Sequence, residues 1–260
     1  MKNRLEKKLG SLLIRKEKAL APFLTAGYPD RDSTEGIVLA LEQGGADLVE
    51  IGMPFSDPLA DGPVIQHCST VALKNGMTLP MVLDQVRAVR KQSEIPIVLM
   101  GYLNPILSHG VERFFSDAVE AGVDGVILPE LPLEESGRYA DVLVSRGLSQ
   151  ILLVTPTTAG ERVHAIDDAS SGFLYCVSTT GVTGGEAGFQ SLDDVRRIKR
   201  QASKNPVLVG FGIATPRHAS TFAELADGVV VGTALLKRLS ENPSTGAIAQ
   251  WAAEFKTALG

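Results

Sequence analysis

"ADLVEIG", residues 46–52, is the stretch on which the fold turns. It is short, β-branched and almost wholly apolar, and such a strand belongs to a parallel sheet covered on both faces. Seven similar runs accompany it: "APFLTA" at 21, "IPIVLMGY" at 95, "VDGVILP" at 123, "SQILLVT" at 149, "GFLYCVS" at 172, "NPVLVGFG" at 205 and "DGVVVGT" at 227. Helix-like segments such as "DSTEGIVLALEQGG" and "GVERFFSDAVEAG" lie between them, several ending in the glycine that a helix C-terminus favours. Eight strand-helix repeats in 260 residues predict a closed (β/α)8 barrel, one domain over residues 1–260. The alternative, a doubly wound open sheet, calls for a Gly-rich first turn; "TAGYPDRDS" stands there instead. Before the first strand, Met1–Lys18 reads as an additional amphipathic helix with Leu5, Leu9, Leu12 and Leu13 on one face.

Composition narrows the function classes. A net charge of -5 without a dense basic cluster argues against a nucleic-acid partner. The N-terminal helix is too charged for a signal peptide and no apolar run reaches membrane-spanning length, so a cytoplasmic protein is expected. Cys68 and Cys176 read as packing residues, and His67, His109, His164 and His218 as scattered surface or loop residues; no metal site is expected.

In a barrel, chemistry sits at the C-terminal ends of the strands. Two connections there are long, Met53–Met77 after the second strand and Thr179–Leu192 after the sixth. Alternation along "ADLVEIG" turns Leu48, Glu50 and Gly52 into the barrel and Val49 and Ile51 toward the helices. Glu50 is then an interior carboxylate. No cation lies in any of the eight runs to pair with it, so desolvation should raise its pKa toward the range useful for proton transfer. Asp57 and Asp61 follow in "FSDPLADGP". Either suits an Asx-type turn, but Asp61 rises from the same strand as Glu50 and can overhang the same mouth.

Tyr175 shares its direction with Phe173 and Val177 and is expected to point inward, with Cys176 facing the helices. Phe23, Tyr102 and Phe211, at strand ends, are candidates for an apolar pocket. The stretches "GVTGG" at 181, "GFGI" at 210 and "VVGTAL" at 230 bring glycines to the strand ends where barrels hold phosphate, with Thr233 near the start of a short helix. The small, polar stretch "STTGVTGGEAGF" from Ser178 suits a lid.

These segments, in this order, resemble the tryptophan synthase alpha chain family over nearly the whole chain: "PFLTAGYPD", "EIGMPFSDPLADGPVIQ", "MGYLNPIL", "GVDGVILPELP", "TPTT", "GVTG" and "GFGI". The resemblance implies a carbon-carbon lyase that cleaves indole-3-glycerol phosphate to indole and glyceraldehyde 3-phosphate in tryptophan biosynthesis. By the family's assignment Glu50 moves the protons, Asp61 holds the indole N–H, and Tyr175 stands beside the substrate. Phe23, Ile65, Tyr102, Thr183 and Phe211 surround it, and Gly184, Gly212, Ile213, Gly232 and Thr233 hold the phosphate. The family pairs with a beta subunit in an alpha2beta2 heterotetramer; Asp57, Asn104 and Pro132 fall on the contacting side. No cofactor is expected in this chain, because pyridoxal phosphate belongs to the beta subunit. The sequence departs from common family residues at Thr179 (arginine in many members), Glu130 (aspartate) and Thr233 (serine).

Rival readings are another phosphate-binding barrel enzyme, such as a sugar-phosphate isomerase or the enzyme that forms indole-glycerol phosphate, and a lyase releasing free indole without a partner. A non-catalytic activating subunit is a third. The ring-forming enzyme calls for lysines at strand ends, which are absent, and an activating subunit has no use for two costly interior acids.

Overall fold

The computed structural model describes residues 2–177, 190–210 and 212–260. Its first half runs α1 (Arg4–Arg15), β1 (Ala19–Thr25), α2 (Thr34–Gln43), β2 (Val49–Gly52), α3 (Pro63–Lys74), α4 (Leu79–Arg90), β3 (Ile97–Met100), α5 (Leu103–His109), α6 (Val111–Ala121), β4 (Gly125–Ile127) and α7 (Leu133–Ser145). The second half runs β5 (Ser149–Ile151), β6 (Leu153–Val154), α8 (Gly160–Ala169), β7 (Leu174–Val177), α9 (Gln190–Gln201), β8 (Val207–Gly210), α10 (Pro216–Ala223), β9 (Gly228–Val231), α11 (Thr233–Glu241) and α12 (Thr245–Leu259).

All strand pairs are parallel, in the order β5-β4-β3-β2-β1-β9-β8-β7-β6. The two ends of that order, β5 and β6, are halves of one apolar run parted at Leu152. The first half borders β4 and the second borders β7, so a single run closes the ring. At the break the Leu152 N–H turns to the Ser170 hydroxyl (3.3 Å), while its carbonyl accepts the Tyr175 N–H (3.1 Å). The eight predicted runs thus form the barrel, the fifth divided in two.

Three aspartates fasten the N-terminal face in the same way. Asp47, Asp124 and Asp227 each precede a strand, in "AD", "VD" and "AD". Each donates its own N–H to the carbonyl of a residue at the start of the neighbouring strand: Leu20, Ile97 and Val207. Each then accepts that same residue's N–H on its carboxylate, at 2.9, 2.9 and 2.7 Å. A cation from the helix layer completes each clamp: Lys256 (2.6 Å), Arg90 (2.9 Å) and Lys199 (2.6 Å). The acids, Asp47 and Asp124 buried and Asp227 largely so, are therefore compensated by charge-assisted bonds worth roughly 1.5–3 kcal/mol each.

The N-terminal helix forms where predicted. Asn3 caps it, its side chain accepting the Glu6 N–H (3.0 Å) while Glu6 accepts the Asn3 N–H (3.2 Å). The Asn3 amide also donates to the carbonyls of Asp124 (2.8 Å) and Gly147 (3.1 Å), fixing α1 across the barrel floor. Leu5, Leu9 and Leu12 are buried, but Leu13 is 44% exposed: one residue past the i, i+4, i+7 row, it turns away from the core.

The long connection expected at Met53–Met77 is not all loop, because α3 occupies its second half. Pro63 opens that helix at its first position and Ile65, Cys68, Ser69 and Ala72 form its buried row, a helical spacing diluted by polar neighbours. The histidines likewise lie on helices rather than loops. His67, His164 and His218 are exposed, whereas His109 is mostly buried at the end of α5 and bonded to Asp117 (2.8 Å). Cys68 and Cys176 are buried free thiols. Among the described residues no helix is long and apolar enough to cross a membrane.

Candidate active site

Strand register sets the site. Phe23 on β1 lies level with Glu50 on β2, and Glu50 with Val98 on β3, so Phe23 and Glu50 share the barrel interior. Above them, at the C-terminal ends of the strands, a cavity of about 510 Å³ is lined by Phe23, Asp61, Ile65, Met100 and Tyr175. Gly212, Ile213, Gly232 and Thr233 also line it, Gly232 lying beside the Phe23 ring.

Two close approaches shape this mouth. The Phe23 ring lies over Gly52, where an added Cβ would come within 2.6 Å of it. The Tyr175 hydroxyl lies against Gly210, where an added Cβ would come within 2.2 Å. Both glycines end their strands because a ring from a neighbouring strand occupies the side-chain position.

Glu50 is wholly buried, and neither carboxylate oxygen has a hydrogen-bond partner among the described residues. It is not among the residues that line the cavity. Burial alone pushes its pKa up to about 8, so at neutral pH it holds a proton. Asp61 is also buried, which pushes it up to about 6 against the opposing pull of the nearby Tyr102 hydroxyl. Its loop is fixed at three points. The Asp61 N–H donates to the Pro58 carbonyl (3.2 Å), Gln66 donates to the Asp61 carbonyl (2.8 Å), and the Ala60 N–H donates to the Tyr102 hydroxyl (2.9 Å). Tyr175 is wholly buried and held far above the ordinary tyrosine range, first by burial and then by the charge of Glu50.

The glycine-bearing strand ends meet the same cavity. Gly212 has φ +76°, a left-handed conformation that suits glycine. Gly232 is the N-cap of α11 and Thr233 its first helical residue, so the helix's free N–H groups open toward the cavity. Thr183, Gly184 and Phe211, expected in the site, and Thr179 lie outside the described residues.

Asp57, Asn104 and Pro132 are all exposed, on the segments that follow the adjacent strands β2, β3 and β4. Leu59 (86% exposed) and Leu107 (51%) stand among them. The Phe55 and Tyr102 rings, 5.5 Å apart, join the first segment to the second. Glu130 accepts the N–H of Leu103, the first residue of α5, and so ties the third segment to the helix that carries Asn104.

Sequence reasoning missed Met100, the last residue of β3, and the lining given by His218, Lys237, Arg238 and Trp251 on the outer helices. On the chain these look like ordinary helix-face residues. Only the packing of α10, α11 and α12 around one cavity singles them out.

Residues 9–258 match the family model described as tryptophan synthase alpha chain. The chain belongs to the tryptophan synthase alpha chain family. It is 49% identical to the tryptophan synthase alpha chain of Geotalea daltonii over 240 residues, which is 92% of this chain and 90% of that relative. It is also 49% identical to that of Geobacter sulfurreducens, over 93% of this chain and 92% of the relative. Among solved structures, the alpha chain of Legionella pneumophila superposes with a TM-score of 0.91 at 39% identity, covering 100% of this chain and 98% of the other. A chain of Mycobacterium tuberculosis tryptophan synthase gives 0.91 at 34% identity, with 100% and 99% covered. Members of the tryptophan synthase alpha chain family are lyases that cleave indole-3-glycerol phosphate in tryptophan biosynthesis. Their partner is the beta subunit, which carries the pyridoxal phosphate; the alpha chain has no cofactor.

Proposed function

We propose that this chain cleaves indole-3-glycerol phosphate to indole and glyceraldehyde 3-phosphate, with Glu50 as the proton-transfer group. The observation that carries the assignment is the pair of buried acids at one mouth, raised by burial to different extents. Cleavage at indole C3 requires a proton on that carbon, which places positive charge on the ring nitrogen. Glu50, protonated at neutral pH, delivers it. The resulting carboxylate collects the proton of the glycerol hydroxyl as the aldehyde forms, so its charge lasts only for the reaction. Asp61, ionised above pH 6, accepts the indole N–H and stabilises the developing cation. Tyr175 and Phe23 hold the ring in place, with Ile65 and Tyr102 completing the apolar wall. The phosphate rests on the N-terminus of α11 and the turn at Gly212 and Ile213.

Proton delivery requires the buried Glu50 carboxyl to turn toward bound substrate, since it does not line the cavity. We assign the exposed face with Asp57, Asn104 and Pro132 to the beta subunit, in an alpha2beta2 heterotetramer; the exposed Leu59 and Leu107 fit such a contact. We infer that residues 1–260 act as one domain, because the site draws on strands from both halves of the ring. We place the reaction in the cytoplasm, in keeping with a phosphorylated biosynthetic intermediate as substrate. The test is indole release by the purified chain, alone and with a beta subunit. Release that rises with the partner is expected; none under either condition would overturn the reading.

A further inference from the structure

The cavity does not end where the phosphate would rest. Beyond Gly232 and Thr233 it follows one face of α11, where Thr233, Ala234, Lys237, Arg238 and Glu241 line it at helical spacing, along about 12 Å of axis. His218 of α10 and Trp251 of α12 form the facing walls.

Lys237 is exposed and Arg238 half-buried, and neither forms an ion pair among the described residues. Other cations against this barrel are held: Lys199 by Asp227, Lys256 by Asp47 and Arg90 by Asp124. Among the described residues, the carboxylate lining this arm is Glu241, at the last turn of α11. Asp61 also lines the cavity, on the loop that follows β2. Along α11 the lining thus carries two cations against one carboxylate, Glu241, while Asp61 lines the same cavity near the strand ends. Uncompensated charges on a low-dielectric wall raise the local concentration of an oppositely charged ligand and speed its arrival.

We propose that Lys237 and Arg238 form an outer docking station for phosphate dianions, capturing the substrate's phosphate from solvent and passing it to the N-terminus of α11. This deepens the function proposed above and rests on it. The two side chains lie on the far side of the phosphate from Glu50 and Asp61, so they act on capture and orientation, not on the proton transfers. They select phosphate esters over neutral indole compounds, and Asp61 discourages the reversed orientation.

The test uses the full chain with Lys237→Met and Arg238→Met combined, and a charge-keeping control, Lys237→Arg with Arg238→Lys. Both positions leave the core untouched, and thermal unfolding checks that each variant is folded. Titration calorimetry with inorganic phosphate should show affinity about tenfold weaker in the neutral variant, with a flatter dependence on salt. For indole-3-glycerol phosphate, KM should rise comparably while kcat stays near the wild-type value, and the control should restore both. Unchanged phosphate affinity, KM and salt dependence in the neutral variant would overturn the proposal. If wild type bound phosphate, the neutral variant lost that binding, and neither released indole, the docking station would stand and the lyase reading would fail.

Discussion

Tyr175 and Gly210 stand on paired strands so close together that a side chain at position 210 would begin 2.2 Å from the tyrosine hydroxyl. The contact is with a ring inside a packed barrel, and it leaves no slack. Gly210→Ala is therefore expected to displace Tyr175 into the cavity, at a cost of about 1–3 kcal/mol in stability. Indole release should fall, with part of the loss appearing as raised KM. Urea unfolding and steady-state kinetics measure the two effects; wild-type values for both would show that the ring has room to move.

The two acids predict a bell-shaped pH profile. In the proposed roles, cleavage requires Glu50 protonated, which holds below about 8, and Asp61 ionised, which holds above about 6. The kcat/KM for indole-3-glycerol phosphate should therefore peak near neutrality and fall on both sides, the limbs reporting the acids of the free enzyme. A profile flat from pH 5 to 9 would contradict the assignment of roles.

Glu50 also makes stability depend on pH. Its pKa is about 8 when folded, against 4.5 for the ordinary side chain, so the native state binds more protons than the unfolded state between those values. Stability then falls as pH rises through that window and levels off above it. Replacing the carboxyl by an amide removes this dependence. Glu50→Gln should gain on wild type as pH rises from 4.5 to 8, by a relative change on the order of 4 kcal/mol. Parallel denaturation series at the two pH values check it, and a constant difference between the proteins would refute it.

Asp124 predicts the reverse separation of stability from activity. It accepts the Ile97 N–H and pairs with both Arg90 and Arg4 on the face remote from the site. Asp124→Ala leaves the largely buried Arg90 without its acid, and should cost about 3–5 kcal/mol. Activity per folded molecule should be kept. Loss of activity without loss of stability would mean that the two faces of the barrel are not independent.

What the sequence disclosed follows from how strongly each residue's environment constrains it. The strands were legible because a sheet covered on both faces forces runs such as Ile97–Met100 to be apolar throughout. Glu50 was legible for the same reason: a charge inside such a run is conspicuous. Helix α3 was obscured because its buried row is short and mixed with Gln66, His67 and Thr70 on the open side. The split at Leu152 leaves no mark on the apolar run, since it depends on the Ser170 hydroxyl capturing one N–H. Lys237 and Arg238 were invisible as site residues because a cation on a helix face ordinarily faces only solvent. Their cavity depends on three helices meeting.

The central claim is that Glu50 transfers the proton that breaks the bond at indole C3. The most direct measurement compares indole release from indole-3-glycerol phosphate by wild type and by Glu50→Gln, with substrate binding measured on both. Glu50→Gln is expected to bind substrate nearly as well as wild type and to release indole slower by a factor of about 10²–10⁴. Release at the wild-type rate by a folded, substrate-binding Glu50→Gln protein would contradict it.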